Sequence, residues 1–95
     1  MELKFEWDTN KNDANLMKHG VSFKDAMYVF FDPKHLEIHD NKHSLAEDRW
    51  RLIGLNCCDL LTVVYTERND QIRIISARKA DKKETEEYYY GYCCI

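Results

Sequence analysis

The sequence predicts a small α+β domain, and three observations lead to this class. Segments rich in Ile, Val, Leu and aromatic residues follow one another between residues 36 and 78, separated by short turns, and strands connected in this way pair antiparallel. Segments with helical periodicity precede and follow them, so helices and strands are segregated along the chain. Ninety-five residues suit one domain. We therefore expect a single domain over residues 1–95, with a small antiparallel β-sheet and helices packed on one face.

The beginning of the chain predicts a short strand and a helix. Residues 3–7 alternate apolar and polar positions, as a half-buried strand does. A helix is expected over residues 10–19, burying Leu16 and Met17. It should end at Gly20, because glycine readily adopts the left-handed conformation that closes helices.

A second helix is predicted after Gly20. It begins at Ser22, with Asp25 at the capping-box position, and Pro33 ends it. Its apolar residues recur at the spacing of one buried helix face. They are Phe23, Ala26, Met27, Phe30 and Phe31.

The remainder of the chain is mostly strand. Four segments have strand-like content, namely residues 36–40, 49–56, 60–67 and 71–78. Asn69 and Asp70 suit a tight hairpin turn before the last of them, since both residue types tolerate positive φ. Asp81 is expected to cap a final helix, with Glu84 at the capping-box position.

Composition excludes a membrane-spanning protein. The chain is 44% hydrophobic and 33% charged, with a net charge of −3, and no apolar run approaches the ~18 residues that cross a bilayer. The first residues lack the apolar segment of a secretory signal. We therefore expect a cytoplasmic protein without membrane contact.

The charge is distributed unevenly along the chain. Residues 49–83 hold eight Lys or Arg against four Asp or Glu, whereas the segments 1–48 and 84–95 are both acidic. In strand alternation Arg49 and Arg51 share one face of their strand, and Arg73 and Lys79 share one face of theirs, opposite the apolar residues. If the helices cover the apolar face, the arginines stand on the open one, where their forked donors suit phosphate oxygens. Surface salt bridges are the alternative.

The final helix has unusual ends. Lys82 and Lys83 occupy its first turn, where the helix dipole disfavours cations but the backbone N–H groups favour a bound anion. Two simply solvated lysines are the alternative. The tyrosines at 88, 89, 90 and 92 are expected to pack this helix on the sheet or on a partner.

Cysteines and histidines give little sign of a metal site. The four cysteines form two adjacent pairs, which we interpret as free thiols, with a zinc site using both pairs as the alternative. They are Cys57, Cys58, Cys93 and Cys94. His35, His39 and His43 are spaced by four, but the strand-plus-turn pattern after Pro33 argues against the helix that would align them. We expect no metal and no cofactor.

Three blocks of the sequence resemble the BrnT toxin family. They are FEWDTNKNDANLMKHGVSFKDAMYVFFDP, EDRWRLIGL and VVYTERNDQIRIISARKA, and together they span roughly residues 4–81. The resemblance implies a RelE-like fold and a ribonuclease toxin of a bacterial type II toxin–antitoxin system. It also implies a partner, a small BrnA-like antitoxin whose DNA-binding module represses the shared operon, so that contact with operator DNA is indirect.

The resemblance also suggests how RNA is cleaved. Metal-free cleavage uses the RNA 2′-hydroxyl as nucleophile and needs a proton acceptor, cations near phosphorus and a proton donor. RelE-like enzymes resemble one another in using Arg, Lys and Tyr for this purpose. Arg51, Arg73 and Arg78 are the candidates for stabilising the transition state. The candidates for holding flanking phosphates are Arg49, Arg68, Lys79, Lys82 and Lys83.

Two further candidates each have an alternative role. His19 is a candidate general base, since histidine is the residue type suited to proton transfer near neutral pH, but a histidine in the last turn of a helix is also a favourable cap. Tyr65 is a candidate for stacking on an RNA base, or else a core residue. For the whole protein, the alternative to a ribonuclease is a non-catalytic nucleic-acid-binding or regulator-binding module on the same fold.

Overall fold

Five strands form one sheet in the computed structural model, which describes residues 3–43 and 47–91. They are β1 (Phe5–Glu6), β2 (Leu36–His39), β3 (Trp50–Leu55), β4 (Leu60–Arg68) and β5 (Gln71–Lys79). Their spatial order is β1-β5-β4-β3-β2. The α+β class is confirmed, but the sheet is mixed, because β1 lies parallel to β5 while the other pairs are antiparallel. A parallel pair is possible here because a long connection containing helices separates the two strands.

Helices precede and follow the main run of strands, as expected. They are α1 (Thr9–His19), α2 (Phe23–Ala26), which continues into a 3-10 helix (Met27–Phe31), and α3 (Lys82–Tyr90); a further 3-10 turn spans Asn41–His43. Asp8 caps α1, since its Oδ1 accepts from the backbone N–H of Asn10 at 2.8 Å. Gly20 ends it with φ of 71°, the predicted left-handed cap.

The buried face of α1 differs from the prediction. Leu16 is 47% exposed and Met17 is 90% exposed, whereas Asn15 is buried. The Asn15 carboxamide donates to the Ala77 carbonyl at 2.7 Å and accepts from the Ala77 N–H at 3.2 Å. β1 is only two residues long, so this side chain completes the edge of β5 where β1 ends. The helix therefore packs through a polar residue, which apolar periodicity does not reveal.

The second helix changes its winding partway along. Its Ser22 cap is confirmed, with Ser22 Oγ accepting from the Asp25 N–H at 3.1 Å. At Met27 it tightens into a 3-10 helix of three residues per turn. Residues spaced by three therefore face the core, and Val29 is fully buried. The prediction that Phe31 lies on the buried face is wrong, since it is 61% exposed.

One face of the sheet carries the main core. Its buried strand residues include Leu52 on β3, Val63 on β4 and Ile74 on β5, and they pack against the helical segment that holds Phe23 and Val29. Gly54 lies under Val29, and an added Cβ would come within 2.9 Å of a Val29 methyl group. This close approach requires glycine at that position of β3.

A β-bulge changes the alternation of β5. Asn69 and Asp70 form the predicted hairpin turn with φ of 54° and 60°. Tyr65 lies opposite Ile74 and Val64 lies opposite Ser76, so Ile75 is an extra residue on β5.

The bulge decides which cations share a face. Arg73 lies opposite Thr66 and Arg78 opposite Thr62, and both threonines point to the same side of β4. Arg73 and Arg78 therefore share a face despite their odd spacing, and Lys79 points to the other side. The predicted grouping of Arg73 with Lys79 is wrong because simple alternation does not continue through an extra residue.

The final helix lies against the opposite face of the sheet from α1 and α2. Asp81 and Glu84 form the predicted capping box, and Glu84 contacts Arg51, which alternates with the core residue Leu52 on β3. Ile53, on the same face as Arg51, is fully buried. The prediction that all helices pack on one face is therefore wrong. Helix α3 packs on the face that was expected to be open, because Glu84 pairs with the arginines there.

Candidate active site

A cleft of about 300 Å³ opens on the sheet face that carries α3. We call it the arginine cleft. It is lined by Asp40, Arg49, Arg51, Val64, Ile75, Ser76 and Arg78. Three of the predicted cationic residues therefore meet in one concave site, with one carboxylate among them.

The sheet register brings these arginines together. Arg49 immediately precedes β3 and Arg51 follows two residues later, so they share a face. Arg51 lies opposite Val64, and Ser76 lies opposite Val64 on the other side of β4. Arg78 follows Ser76 by two residues on β5. The guanidinium groups thus project into the same space from the two sides of β4, and the bulge at Ile75 is what puts Arg78 there.

A buried glutamate joins two of the three arginines. Glu84 Oε2 accepts from Arg51 at 2.8 Å and from Arg78 Nη2 at 2.9 Å, and Oε1 accepts from Arg78 Nη1 at 2.7 Å. Oε1 also accepts from the Asp81 N–H at 2.9 Å, which closes the capping box. The Glu84 side chain is only 3% exposed. One carboxylate therefore caps α3 and holds two cleft arginines.

This arrangement fixes the ionisation of Glu84. Burial alone would raise the pKa of Glu84, but hydrogen bonds from Arg78 and from the Asp81 N–H lower it to about 2. The same contact raises the pKa of Arg78. Arg51 and Arg78 remain 31% and 37% exposed. They are oriented by Glu84 and still reach solvent, where an anion can meet them.

The other predicted cations lie outside the arginine cleft. Arg73 pairs with Glu6 at 3.4 Å, and Arg68 pairs with Glu47 at 2.9 Å. Lys79 is exposed and points to the opposite side of β5. Lys82 and Lys83 are exposed in the first turn of α3, beside Glu84 but not among the residues that line the cleft.

His19 and Tyr65 are not part of the arginine cleft either. His19 lies in the last turn of α1, on the other side of the sheet from Arg51 and Arg78. Tyr65 is 4% exposed in the main core, and its hydroxyl donates to Glu37 at 2.6 Å. Burial and this hydrogen bond raise the pKa of Tyr65. Tyr65 is therefore a core residue, the alternative role, and it does not stack on an RNA base, because its buried ring has no free face.

Two acidic residues of the site were missed by sequence reasoning. Glu84 was assigned only as part of a capping box, and Asp40 only as the end of a strand. No local pattern signals that Glu84 meets Arg78, because the contact depends on how α3 is placed against the sheet. The same holds for Asp40, since its position opposite Arg49 depends on the register of β2 with β3.

One family model matches this chain. It describes BrnT, the ribonuclease toxin of type II toxin–antitoxin systems, and it matches residues 7–84. This protein belongs to the BrnT toxin family. The match includes all seven residues that line the arginine cleft and also Glu84. No curated protein matches the sequence.

The histidines and cysteines of this BrnT protein form no metal site among the residues that the structure describes. Within residues 3–43 and 47–91, no group of three or more His, Cys, Asp or Glu side chains is placed to hold a metal ion. His39 ends strand β2, so the helix that would align it with His35 and His43 is not formed. Cys57 and Cys58 are exposed free thiols. Cys93 and Cys94 lie outside the described residues.

The tyrosines of α3 divide between the sheet side and solvent. The Tyr88 hydroxyl donates to Asp32 at 2.5 Å and fastens the helix to the segment before β2. Tyr89 and Tyr90 are 50% and 62% exposed, and Tyr92 lies outside the described residues. In the part of the chain that the structure describes, no helix has the length and apolar character to cross a membrane.

Replacement of Glu84 by Gln tests the buried bridge. The folded-state pKa of Glu84 lies below its usual 4.5, at about 2, so its ionisation stabilises the fold above pH 4.5 and this contribution disappears as the pH falls toward 2. At pH 7 we expect E84Q to lower the free energy of unfolding by about 3 kcal/mol, measured by urea denaturation. The difference from wild type should shrink on acidification.

Glu86→Gln is the matched control for this experiment. Glu86 is exposed two residues further along α3, and its replacement should change the free energy of unfolding by less than about 0.5 kcal/mol. A loss in E84Q that is equal at pH 7 and near pH 2 contradicts the ion-pair origin of the stabilisation.

Proposed function

We propose that this BrnT toxin is a metal-independent endoribonuclease whose arginine cleft binds the scissile phosphate. The observation that carries the proposal is the meeting of Arg49, Arg51 and Arg78 in one cleft. With Asp40 and Glu84 counted, three guanidinium groups stand against two carboxylates, so the site keeps a net positive charge. Such a site favours the singly charged phosphodiester of RNA, and favours more strongly a phosphorane-like transition state in which further negative charge develops.

The proposed chemistry begins with the RNA itself. The 2′-hydroxyl attacks the adjacent phosphorus, negative charge grows on the phosphoryl oxygens, and the 5′-oxygen leaves. Arg51 and Arg78 stabilise that charge. Because Glu84 holds both guanidinium groups in place, they need little rearrangement when the charge develops, which is the condition for effective electrostatic stabilisation.

The remaining cations have supporting roles in this proposal. Arg49 shares the cleft and contacts the same phosphate or its neighbour. Arg73, which the sequence had placed with the catalytic arginines, is assigned to flanking phosphates because it pairs with Glu6 outside the cleft. Arg68, Lys79, Lys82 and Lys83 attract the RNA backbone without contacting the reacting group.

One observation favours a second candidate function. Glu84 occupies donors of both Arg51 and Arg78, as expected if those arginines serve the fold alone. The protein would then be a non-catalytic nucleic-acid-binding or regulator-binding module on the same fold. The partial exposure of both guanidinium groups supports the ribonuclease instead, because it leaves donors that an RNA phosphate can reach from solvent.

A protein partner belongs to the proposal. As a type II toxin, this BrnT protein is expected to act on RNA in the cytoplasm until a cognate BrnA-like antitoxin with a DNA-binding module covers it. Any contact with operator DNA then passes through the antitoxin. The exposed rings of Tyr28 and Phe31, which line the same surface cleft, support the existence of a protein-binding surface.

Expression of the chain in a bacterium tests the toxin and its antitoxin together. Expression alone should arrest growth and degrade transcripts, because the free cleft is open to RNA. Co-expression with the neighbouring antitoxin gene should restore growth. Growth curves and transcript integrity are the measurements, and normal growth with intact transcripts from a folded protein is the contradictory result.

Chelation tests metal independence. Purified toxin should cleave RNA at an unchanged rate in excess chelator and leave 2′,3′-cyclic phosphate ends, because the charge on phosphorus is neutralised by arginine in this mechanism. End-group analysis of the products checks the chemistry. Loss of cleavage in chelator, with recovery on adding a divalent ion, shows that the mechanism needs a metal.

Substitutions separate catalysis from RNA binding. Arg51→Lys and Arg78→Lys keep a charge beside Glu84 but lose the forked geometry, and each should slow single-turnover cleavage at saturating enzyme by at least about tenfold. The double variant K82A/K83A should instead weaken RNA binding. It should flatten the salt dependence by about one unit of slope per lost contact and spare the saturated rate. Variants with indistinguishable effects contradict this division of roles.

A further inference from the structure

The arginine cleft needs a proton acceptor that its arginines cannot supply. A guanidinium group stays protonated at every physiological pH and has no acceptor atom. The attacking 2′-hydroxyl must nevertheless lose its proton as the new bond to phosphorus forms. His19, the residue that the sequence offered, lies on the other side of the sheet. The search for the acceptor therefore turns to the carboxylates at the cleft.

Glu84 is poorly suited to this role. Its two oxygens accept four hydrogen bonds, from Arg51, Arg78 and the Asp81 N–H. These contacts lower the pKa of Glu84 to about 2, and the side chain is buried. A carboxylate this well satisfied is a weak base and cannot reach a hydroxyl in the cleft. Among the residues that line the cleft, Asp40 has the carboxylate that remains.

The end of β2 positions Asp40 on the correct face. The Asp40 N–H donates to the Arg49 carbonyl at 2.8 Å, which extends the β2–β3 ladder one residue beyond His39. Strand alternation places Asp40 on the side of Ile38, which lies opposite Arg51. His39 points the other way, with its ring against Trp50 at 4.8 Å. The Asp40 carboxylate therefore stands on the cleft side, beside the phosphate-binding arginines.

The described residues next to Asp40 are also held in place. The ring nitrogens of His39 lie 2.5 Å from Asn41 Oδ1 and 3.0 Å from Asp48 Oδ1. Thr66 on β4 donates to the Asp48 carbonyl at 2.6 Å. These contacts fasten both sides of the connection between β2 and β3 to the sheet. Asp40 thus projects from a fixed backbone, as a catalytic group requires.

We propose that Asp40 is the general base of this ribonuclease. Its carboxylate takes the proton from the 2′-hydroxyl while the 2′-oxygen bonds to phosphorus and the bond from phosphorus to the 5′-oxygen breaks. Water supplies the proton to the departing 5′-oxygen, and Asp40 returns its own proton to solvent. The products are a 2′,3′-cyclic phosphate and a 5′-hydroxyl. The inference rests on the proposed ribonuclease activity and adds a catalytic residue to it.

The charged groups around Asp40 come from three elements besides its own. Arg49 and Arg51 approach from the β3 side and Arg78 from β5, and Glu84 of α3 lies behind the last two. On its own segment, His39 precedes Asp40, and hydrogen bonds to Asp48 and Asn41 raise the pKa of His39; Lys42 follows Asp40 by two residues. Glu84 offsets part of this positive charge, because its two oxygens accept from Arg51 and Arg78.

Asp40→Asn is the test, with Asp59→Asn as the matched control on an exposed turn. Single-turnover rates at saturating enzyme should be measured from pH 3 to pH 8, with RNA affinity measured separately. In D40N we expect the saturated rate to fall by about 10²–10⁴, the acid limb of the pH profile to disappear, and RNA to bind at least as tightly. D59N should match wild type. Asp40→Glu, which keeps a base at a shifted position, should recover part of the rate together with an acid limb.

The outcomes separate this inference from the proposed function. A wild-type protein that cleaves RNA, with D40N within threefold of it and showing the same acid limb, overturns the role of Asp40 and leaves the ribonuclease intact. A folded wild-type protein that binds RNA without cleaving it overturns both. If D40N does not fold, absence of an acid limb in D40E overturns the assignment.

Discussion

The buried carboxylate of Glu84 is the contact on which the fold and the site both depend. It closes the capping box of α3, and it is the common acceptor for Arg51 on β3 and Arg78 on β5. Burial of such a group is unfavourable unless every oxygen is hydrogen-bonded, and removal of one partner leaves a charge without compensation. The same contact therefore fixes the final helix on the sheet and sets the direction of two guanidinium groups. Stability and anion binding cannot vary independently at this position.

Much of the fold follows from local signals, and its exceptions have physical causes. The hairpin at Asn69 and Asp70 and the cap at Asp81 were predicted because they depend on a few neighbouring residues. The bulge at Ile75 was not, because QIRIISARK reads as an ordinary strand and the extra residue is defined only by pairing with β4. Helix α1 was assigned to the wrong face because Asn15, a polar residue, is its buried contact. Both the bulge and the buried face of α1 are determined by contacts with residues distant in sequence.

In the candidate site too, some features follow from the local sequence and others only from tertiary pairing. Concentration of cations between residues 49 and 83 is visible in the sequence, and the arginines of β3 and β5 do share a face. Which of them meet is not visible there, since that depends on the bulge and on the placement of α3. Charge counting could not show that Glu84 lies between Arg51 and Arg78. Asp40 and Glu84 were not predicted as site residues, because acidic residues are common in this chain and composition does not distinguish these two from the others.

Glu84 and a bound phosphate would accept hydrogen bonds from the same guanidinium groups, so they compete for the donors of Arg51 and Arg78. Arg78 gives both terminal nitrogens to Glu84, whereas Arg51 gives one, so Arg51 keeps more donors for an incoming anion. Arg49 adds a third cation, and without it the two carboxylates would leave the cleft with no net charge. Under the proposed ribonuclease function, the cleft would therefore attract phosphate only moderately in the ground state. A site of this kind gains most when extra charge appears on the oxygens during reaction, which is where binding energy accelerates chemistry.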